Sequence, residues 1–598
     1  MDIDVCRHSL AHVLAAAVKR LVPAVQLGIG PAIDTGFYYD FLLPEAQGIT
    51  AEILPKIEEE MQAIIGQDAP FERKEVSPGE AKKLFCTDRE PFKFELIEEL
   101  EAQGSSQVSL YQMGDFVDLC AGPHVESTGR LKNLGFTLDR VSGAYWRGSE
   151  TRPMMQRVYG LAFPNKKELK AYVSAREEAM KRDHRRLGAE LDLFASSEEV
   201  GRGLPLLLPK GATLRRILER FTVDAELARG YSHVYTPVLG RKRLYETSGH
   251  WEHYQQSMYP PIDVAGEEFV LRPMTCPHHF MLYKHRPRSY RDLPMRLAEI
   301  SPQFRREQSG ELSGLIRVMM FHLADAHIMC TPEQLADEFF GVIDLVDYIM
   351  TCLGIKESIS FRASLRDDDS EKFVDNPRFW EMSEKMLIDI VDKAGLKYQV
   401  AKGEAAFYGP KLDVQMRNVL GKEETIFTIQ IDFALPERFD MLYTDKDGTQ
   451  KRPVVIHRAS IGCLERTMAF LIEYYAGAFP CWLAPVQVRL LTITDAHLDF
   501  ARETLSKLTR AGIRCELDGR NETIGKKVRE GRLQKIPYLA TIGAKEVADG
   551  SLMVRNRDTG AQSLVGVDRF LENVRRETAE FQLTLAADSP EGTTPASA

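Results

Sequence analysis

Apolar residues recur at helical spacing near the start of the chain. Between Ser9 and Leu21 they fall at positions 10, 13, 14, 17, 18 and 21, which lie on one face of a helix with 3.6 residues per turn. The turn-rich segment GIGPAIDTGFYYDF follows, and then a mixture of helix-like and strand-like patterns. We therefore predict that residues 1–160 form one α+β domain.

Two further changes of pattern divide the next part of the chain. From Asn165 to about Leu193 the sequence is charged and helical and has little apolar face of its own, so we interpret residues 161–200 as a linker helix. Strand-like runs such as FVLRP, TIFTIQIDF and RPVVIH then alternate with amphipathic helices up to about residue 480. This alternation predicts a large sheet-based α+β domain over residues 201–482.

The C-terminal part has a different order of elements. Strand and helix patterns alternate through VRLLTI, LDFARETLSKLTRAG, IRCEL, IGKKVREGRLQ and YLATIG. Such alternation is typical of a parallel α/β sheet, and we predict a separate domain over residues 483–582. The small, polar, proline-bearing residues 583–598 are predicted to be a disordered tail. The expected fold class is multidomain α+β.

Composition narrows the classes of function. Of the 598 residues, 44% are hydrophobic and 27% are charged, as in ordinary globular proteins. No apolar run approaches the roughly 20 residues of a membrane span, and the acidic start MDIDVCRHSLAH is unlike a secretion signal. Nine cysteines without a CxxC pair indicate a reducing compartment, so we expect a soluble cytoplasmic protein. The net charge of −10 argues against indiscriminate coating of nucleic acid.

Two basic motifs in the middle domain suit a nucleotide. In FRRE (304–307), two-residue alternation would put Arg305 and Glu307 on one face of a strand, and arginine offers paired N–H donors to phosphate and carboxylate. In GCLER (462–466), Arg466 stands at the start of an apolar helix, which is a natural anion site. An Arg–Glu pair on a strand is more often a surface ion pair, so FRRE alone decides nothing. The sequence has no P-loop and no GxGxxG motif.

These motifs occur in a recognisable order with others. Pro237 in VYTPVLG, FRRE with its loop, and GCLER resemble motifs 1, 2 and 3 of class II aminoacyl-tRNA synthetases. Cys276 in LRPMTCPHH, His327 in FHLADAHIMC and His457 in PVVIHRASIGCLER resemble the zinc ligands of the threonyl-tRNA synthetase family. The similarity extends through ETSGHWEHY, SYRDLPMRLAEI, EAAFYGPK, QIDFALP and LAPVQV. It starts at the N-terminal helix, so the expected form lacks the N-terminal β-grasp module.

The resemblance implies ATP-dependent ligation of threonine to tRNA(Thr) through a threonyl-adenylate, on an antiparallel-sheet class II core. One Zn²⁺ per subunit, held by Cys276, His327 and His457, would bind the amino group and the hydroxyl of threonine. Valine lacks the hydroxyl and would be rejected. Serine lacks only a methyl group, a difference of about 1–3 kcal/mol, and would be activated.

Other residues of the middle domain match positions of the family's active site. Arg305, with Glu307 close to it, would hold the substrate carboxylate and the α-phosphate of ATP, and Arg466 would hold the γ-phosphate. Mg²⁺ would accompany the ATP. The further residues that the resemblance assigns to substrate binding are Asp325, Tyr408, Gln430 and Arg317.

A second candidate site lies in the N-terminal domain. HSLAH puts His8 and His12 four residues apart on one helical face, and CAGPH supplies Cys120 and His124 from a loop. By spacing alone these four residues are a zinc candidate. The same residues resemble the family's editing site, which hydrolyses mischarged seryl-tRNA(Thr) with side chains and water. We favour metal-free hydrolysis and keep zinc as the alternative. Further matches to that pocket are Asp118, Lys93 and Tyr39.

The C-terminal domain resembles the anticodon-binding domain of the same family. Asn521, Glu546 and Arg555 match positions that contact tRNA, where unstacked bases expose their hydrogen-bonding edges. Through motif 1, the resemblance also implies a homodimer that forms through the middle domain.

Two functions of other classes remain as alternatives. A synthetase-like paralogue could bind a tRNA-shaped RNA for regulation without ligating, and a hydrolase could clear mischarged tRNA in trans. Arg305, Arg466 and the complete set of zinc ligands count against the first, and the second would be favoured by a catalytically dead middle domain, which the sequence does not show. Departures from residues common in bacterial relatives occur at Leu323, Met319 and Glu424–Thr425.

Overall fold

The computed structural model describes residues 2–44, 48–149, 151–308, 310–367, 373–374, 376–418 and 423–583. The chain divides into two units, Met1–Glu178 and Ala179–Ala598. The predicted disordered tail lies outside the described residues from position 584 onward. Within the described part of the chain, no helix has both the length and the apolar character needed to cross a membrane.

The first unit packs a long buried helix against an antiparallel sheet. Its helices are α1 (Ile3–Leu21), α2 (Leu54–Gly66), α3 (Pro78–Leu84) and α4 (Pro91–Ala102), and α5 (Lys166–Arg182) begins in it. Its strands are β1 (Gln26–Leu27), β2 (Ala32–Ile33), β3 (Gly36–Leu42), β4 (Phe71–Val76), β5 (Val108–Met113), β6 (Phe116–Leu119), β7 (Gly135–Tyr145) and β8 (Met154–Phe163). Strands β1, β3, β8 and β7 form one sheet with β2 on β3, and β4, β5 and β6 form another.

Helix α1 is longer than its apolar periodicity predicts. It begins at Ile3 rather than Ser9, because the carboxylate of Asp2 caps it by accepting the N–H of Asp4 at 3.0 Å. The predicted apolar positions are buried except the last, Leu21, which is 44% exposed, and Leu10 and Leu14 are fully inaccessible to solvent. The same helix therefore supplies both the core of this unit and the two histidines of HSLAH.

The predicted single linker helix is wrong, because the segment forms two helices. Helix α5 ends at Arg182, and α6 (His184–Glu190) begins after Asp183, whose carboxylate accepts the N–H of Arg185 at 2.8 Å. Helix α6 also buries His184, Leu187 and Gly188. The second half of this charged segment is therefore part of a packed core rather than a solvated connector.

The second unit contains the remaining elements. Its helices after α6 are α7 (Pro209–Leu227), α8 (Lys242–Ser248), α9 (His250–Tyr254), α10 (Cys276–Lys284), α11 (Leu335–Cys352), α12 (Pro377–Lys393), α13 (Ala434–Arg438), α14 (Leu464–Tyr474), α15 (Leu498–Arg510), α16 (Ile524–Leu533), α17 (Ala544–Asp549) and α18 (Val567–Ala579). Its strands up to residue 463 are β9 (Phe194–Ala195), β10 (Leu206–Leu207), β11 (Ser232–His233), β12 (Leu239–Arg241), β13 (Ile262–Val264), β14 (Glu267–Leu271), β15 (Met295–Phe304), β16 (Met320–Cys330), β17 (Ile359–Leu365), β18 (Tyr398–Lys402), β19 (Lys411–Arg417), β20 (Glu423–Asp432), β21 (Tyr443–Thr444), β22 (Gln450–Lys451) and β23 (Val454–Cys463).

An eight-stranded sheet forms the centre of this unit. Its order is β11-β15-β16-β23-β20-β19-β17-β18, and its neighbours pair antiparallel except at the two outer pairs. One face is covered by apolar residues of α6, α7, α11 and α14, which form the largest hydrophobic core. The antiparallel-sheet core predicted for the middle domain is therefore confirmed.

The alternation in FRRE predicts that the whole motif lies in a strand, but the structure shows that it does not. Strand β15 ends at Phe304, and the backbone then turns because Arg306 donates its N–H to Ser257 and Glu307 donates its N–H to Arg305. The loop that begins here runs to Met319, whose carbonyl oxygen accepts the N–H of Arg305 at 3.0 Å. We call residues 305–308 and 310–319 the arginine loop.

The C-terminal domain has a mixed sheet. Its strands are β24 (Val488–Thr492), β25 (Cys515–Asp518), β26 (Tyr538–Ile542), β27 (Ser551–Asn556) and β28 (Gln562–Gly566), in the order β25-β24-β26-β27-β28. The first three strands are parallel, as predicted, and β27 and β28 are antiparallel. The α/β alternation therefore predicts the first half of the domain correctly but misses the antiparallel second half.

Candidate active sites

Three donor side chains meet on the open face of the central sheet. His327 in β16 is the direct antiparallel partner of His457 in β23, so both side chains point to the same face. Cys276, the first residue of α10, brings its thiol to them. The three donor atoms lie within 4.8 Å of one another, and the residues are 1–6% exposed.

Neighbouring side chains fix the orientation of both imidazoles. The Nε2 atom of His457 lies 2.8 Å from a carboxylate oxygen of Asp432, and the Nδ1 atom of His327 lies 2.8 Å from Nδ1 of His279. With these contacts made, Nδ1 of His457 and Nε2 of His327 are the nitrogens left to bind a metal ion. A carboxylate partner such as Asp432 commonly orients a metal-binding imidazole.

The donor set fits a zinc ion. One thiol and two imidazoles are zinc ligands, and three protein ligands leave a coordination position for substrate. Burial raises the pKa of the Cys276 thiol well above its usual value and lowers the pKa of His327 well below its usual value. Both groups are therefore neutral by themselves, and a cation bound among them would compensate the charge of a thiolate.

The predicted substrate residues lie beside this cluster. Asp325 is two residues before His327 on β16, and Gln430 is the partner of His457 across β20 and β23. The Tyr408 hydroxyl donates to the side-chain carbonyl oxygen of Gln430, and its ring lies 5.0 Å from that of His457. Burial raises the pKa of the Asp325 carboxyl. Carboxyl, hydroxyl and amide groups therefore surround the space next to the metal donors.

A cleft of about 440 Å³ is lined by Tyr408 and Gln430 of this group. The residues named from the motifs that line it are Arg305, Glu307, Arg317, Tyr408, Gln430 and Arg466. Arg466 donates from Nε to the carbonyl oxygen of Ile316 and from Nη1 to that of Thr425, both at 3.0 Å. Arg317 forms an ion pair of 2.8 Å with Glu307. The guanidinium groups are therefore held at the cleft by contacts with the protein.

Gly462 is needed where the third motif meets the sheet. Its φ is +76°, and a Cβ there would lie 2.2 Å from the carbonyl oxygen of Ile426. The close approach of β23 to β20 therefore requires glycine at this position. Of the departures found in the sequence, Leu323 and Thr425 line the cleft, and Met319 packs beside Gly203.

The four residues of the N-terminal candidate also meet. His8 and His12 lie one turn apart on α1, and the Cys120 thiol is 3.3 Å from Nε2 of His8 and 3.3 Å from Nε2 of His124. Their donor atoms lie within 4.8 Å of one another. Burial raises the pKa of Cys120 to about 11 and lowers the pKa of His124 to about 2. The set thus consists of neutral groups, with the geometry of a metal site as well.

A buried carboxylate supports this cluster. Asp118 accepts a hydrogen bond from the Tyr39 hydroxyl and forms an ion pair with the Lys93 ammonium, both at 2.6 Å. Nδ1 of His12 lies 3.4 Å from the same carboxylate. The four residues are at most 4% exposed. All seven residues that the sequence assigned to this site are therefore neighbours in the structure.

The three predicted tRNA contacts lie on different elements of the C-terminal domain. Asn521 is exposed in the loop after β25, and Arg555 is half-buried in β27. Glu546 lies in α17, where its carboxylate accepts the N–H of Gly543 at 2.9 Å. Glu546 thus caps its own helix, a role that the sequence analysis missed.

Sequence reasoning also missed the groups that orient the metal donors. His279 follows Cys276 in PHH, and Asp432 lies in QIDFALP, so both stand inside motifs that were singled out. Glu299 lies 3.4 Å from Nε2 of His279 and forms a buried ion pair with Arg272. The second histidine of PHH could have indicated this role, because it stands three residues after the predicted zinc ligand Cys276.

Comparison with known proteins places these sites in one family. Residues 259–475 match the tRNA synthetase class II core domain (G, H, P, S and T), and residues 487–577 match the anticodon binding domain. Residues 108–159 match the threonyl and alanyl tRNA synthetase second additional domain. The threonine–tRNA ligase of Geobacillus kaustophilus is 50% identical over 585 residues, which cover 98% of this chain and 89% of that protein. The chain belongs to the threonyl-tRNA synthetase family.

Other relatives agree with this assignment. Threonine–tRNA ligase 1 of Bacillus subtilis is 49% identical over 577 residues, covering 96% of this chain and 89% of that protein. The crystal structure of the RNA binding domain of threonyl-tRNA synthetase from Cryptosporidium parvum is 36% identical, with a TM-score of 0.62. It covers 66% of this chain and 98% of that one. The family resemblance and the fold class predicted from the sequence are confirmed.

Proposed function

We propose that this chain activates threonine with ATP, transfers it to tRNA(Thr), and hydrolyses seryl-tRNA(Thr) formed in error. The observation that carries the ligase function is the contact between the two halves of the core site. Tyr408 and Gln430 line the arginine-bearing cleft and also adjoin His457. An amino acid bound at the cysteine–histidine cluster would therefore direct its carboxylate into the cleft.

The arginines of the cleft would bind and stabilise the negative charges of the substrates. Arg305 would bind the threonine carboxylate and the α-phosphate of ATP, where negative charge develops during in-line attack. Arg466 would bind the γ-phosphate, with Mg²⁺ accompanying the nucleotide. Glu307 holds Arg317 by an ion pair, and so sets where that guanidinium can meet the substrate.

The amino acid would be selected at the cysteine–histidine cluster. Zn²⁺ held by Cys276, His327 and His457 would supply a Lewis-acid centre for the amino and hydroxyl groups of threonine. Asp325 would accept hydrogen bonds from those same groups, because it lies two residues before His327 on β16 and so on the same face of the strand. Gln303 donates to this carboxylate at 3.3 Å and orients it.

ATP–pyrophosphate exchange with zinc-loaded protein tests the ligase directly. We expect strong exchange with threonine, exchange with serine lower in kcat/KM by about 10- to 200-fold, and exchange with valine lower by about 10⁴-fold or more. A site that binds a hydroxyl discriminates strongly against an analogue without one and weakly against loss of a methyl group. Absence of exchange with all three amino acids would instead favour the regulatory or trans-editing alternatives.

The N-terminal site would remove the serine that the core admits. Its buried His8, His12, Cys120 and His124 could position the seryl ester and a water molecule, and the Tyr39–Asp118–Lys93 cluster would hold the site in shape. We favour hydrolysis without a metal, although the donors are close enough to hold zinc.

Substitution of this site should uncouple editing from ligation. His8→Ala and Cys120→Ala should each lower hydrolysis of seryl-tRNA(Thr) by about 10²-fold, the usual scale for loss of a proton-transfer group. Threonine exchange should remain within about 2-fold, because the substituted residues belong to a different unit. Cys86→Ala, at a half-buried cysteine of the same unit, is the matched control. Unchanged seryl-tRNA hydrolysis in both variants would refute the assignment.

The C-terminal domain and an exposed apolar surface of the middle domain suggest two further partners, tRNA and a second copy of the chain. The C-terminal domain would bind the anticodon of tRNA through Asn521, Glu546 and Arg555. A homodimer through the middle domain is supported by apolar side chains around Pro237, since Tyr235 is 93% exposed and Leu239 is 40% exposed. Exposed apolar residues grouped in this way are typical of an interface. We propose the cytoplasm as the location.

A further inference from the structure

A buried histidine outside both sites connects the core helices to the arginine loop. His184 is the first residue of α6 and only 1% exposed. It derives from the charged segment predicted to be a linker, and none of the roles described above uses it. Its two ring nitrogens have different partners.

These partners show which ring nitrogen donates a hydrogen bond and which accepts one. Nδ1 lies 2.7 Å from a carboxylate oxygen of Glu473, which can only accept a hydrogen bond when it is ionised. Nε2 lies 3.1 Å from the backbone nitrogen of Leu315, which can only donate. Nε2 of His184 therefore accepts the N–H of the arginine loop, and Nδ1 carries a proton and donates a hydrogen bond to Glu473.

The loop approaches this ring very closely. Gly314 has a φ of +48°, and a Cβ there would lie 2.1 Å from Nε2 of His184. Leu315 is fully buried in the main core together with Leu187 of α6. Backbone and imidazole therefore fit against each other only because position 314 is glycine.

The contact continues directly to an arginine of the cleft. The residue after Leu315 is Ile316, whose carbonyl oxygen accepts a hydrogen bond from Nε of Arg466 at 3.0 Å. Arg466 and Glu473 are seven residues apart on α14, which is about two helical turns and puts them on the same face. One helix face therefore holds the loop at two points: through Arg466, and through Glu473 by way of His184.

We propose that His184 is a positioning residue for threonine activation. By accepting the N–H of Leu315, it holds the arginine loop where the carbonyl oxygen of Ile316 aligns the guanidinium of Arg466 with the triphosphate. The proposal rests on the ligase function proposed above. Loss of this contact lets the loop and Arg466 move, and a displacement of about 1 Å at a reacting group can cost about 10²-fold in rate.

Two substitutions separate this role from simple packing. The amide of asparagine ends at the level of Nδ1, so His184→Asn keeps a donor for Glu473 but loses the acceptor for Leu315. The amide of glutamine ends at the level of Nε2, so His184→Gln keeps that acceptor. We expect kcat for ATP–pyrophosphate exchange to fall by about 10- to 100-fold in His184→Asn and to stay within about 5-fold of wild type in His184→Gln. The KM for threonine should change by less than about 3-fold in both.

The controls distinguish failure of the inference from failure of the proposed function. Arg186→Ala, on the exposed face of α6, removes only a surface ion pair with Glu190 and should leave exchange and Tm unchanged. Wild-type protein without exchange would overturn the ligase function itself. Active wild-type protein with equal kcat values for His184→Asn and His184→Gln would overturn the positioning role, whatever the change in Tm.

Discussion

Cys276→Ser is expected to remove bound zinc and to lower kcat/KM for threonine activation by about 10³-fold. A Lewis-acid metal contributes several kcal/mol to binding and charge stabilisation, and about 4 kcal/mol corresponds to that factor. The thiol lies within 4.8 Å of the other two donor atoms and is 3% exposed, so a hydroxyl there replaces a zinc ligand without opening the site. Zinc content by atomic absorption and exchange kinetics with threonine measure the two effects.

The control for this prediction uses another cysteine. Cys515→Ser, at a half-buried cysteine of the C-terminal domain, should change neither zinc content nor exchange. If Cys276→Ser lost activity but kept one equivalent of zinc, that zinc would be bound at another site. The candidate for that site is the N-terminal cluster of His8, His12, Cys120 and His124. If Cys276→Ser retained both zinc and full activity, the metal assignment in the core would be wrong.

Arg305→Ala is expected to lower kcat for threonyl-adenylate formation by about 10²- to 10³-fold. Loss of one charge-stabilising donor in a transition state has effects of this size. Arg305 lines the cleft, and its guanidinium lies 5.1 Å from the centre of the Phe321 ring. Single-turnover formation of the adenylate measures the step without interference from tRNA.

Comparison with lysine tests whether the fork geometry matters. Arg305→Lys keeps the charge but cannot donate two parallel hydrogen bonds, so we expect it to recover only part of the lost rate. Arg306→Ala is the matched control, because the neighbouring side chain is exposed and has no role in the proposed reaction. Equal rates for Arg305→Ala and wild type would exclude Arg305 from the reacting centre.

Local patterns predicted the parts of the fold that depend on near neighbours. Apolar spacing identified α1 and the strands around TIFTIQIDF and RPVVIH, and the spacing of HSLAH placed His8 and His12 on one helical face. The failures were also local in origin. Asp2 extends α1, and Asp183 divides the linker by capping α6, and in each case one side-chain hydrogen bond outweighs the surrounding periodicity.

The sequence by itself determined the family, the class of fold and the residue types available for chemistry. Only the tertiary structure decided how those residues meet. His327 and His457 are 130 residues apart in the chain, and they share a site because β16 pairs with β23 in one particular register. The contacts of Asp432 with His457 and of His184 with Leu315 arise in the same way. Long-range strand pairing and helix packing depend on the whole core, and no window of neighbouring residues encodes them.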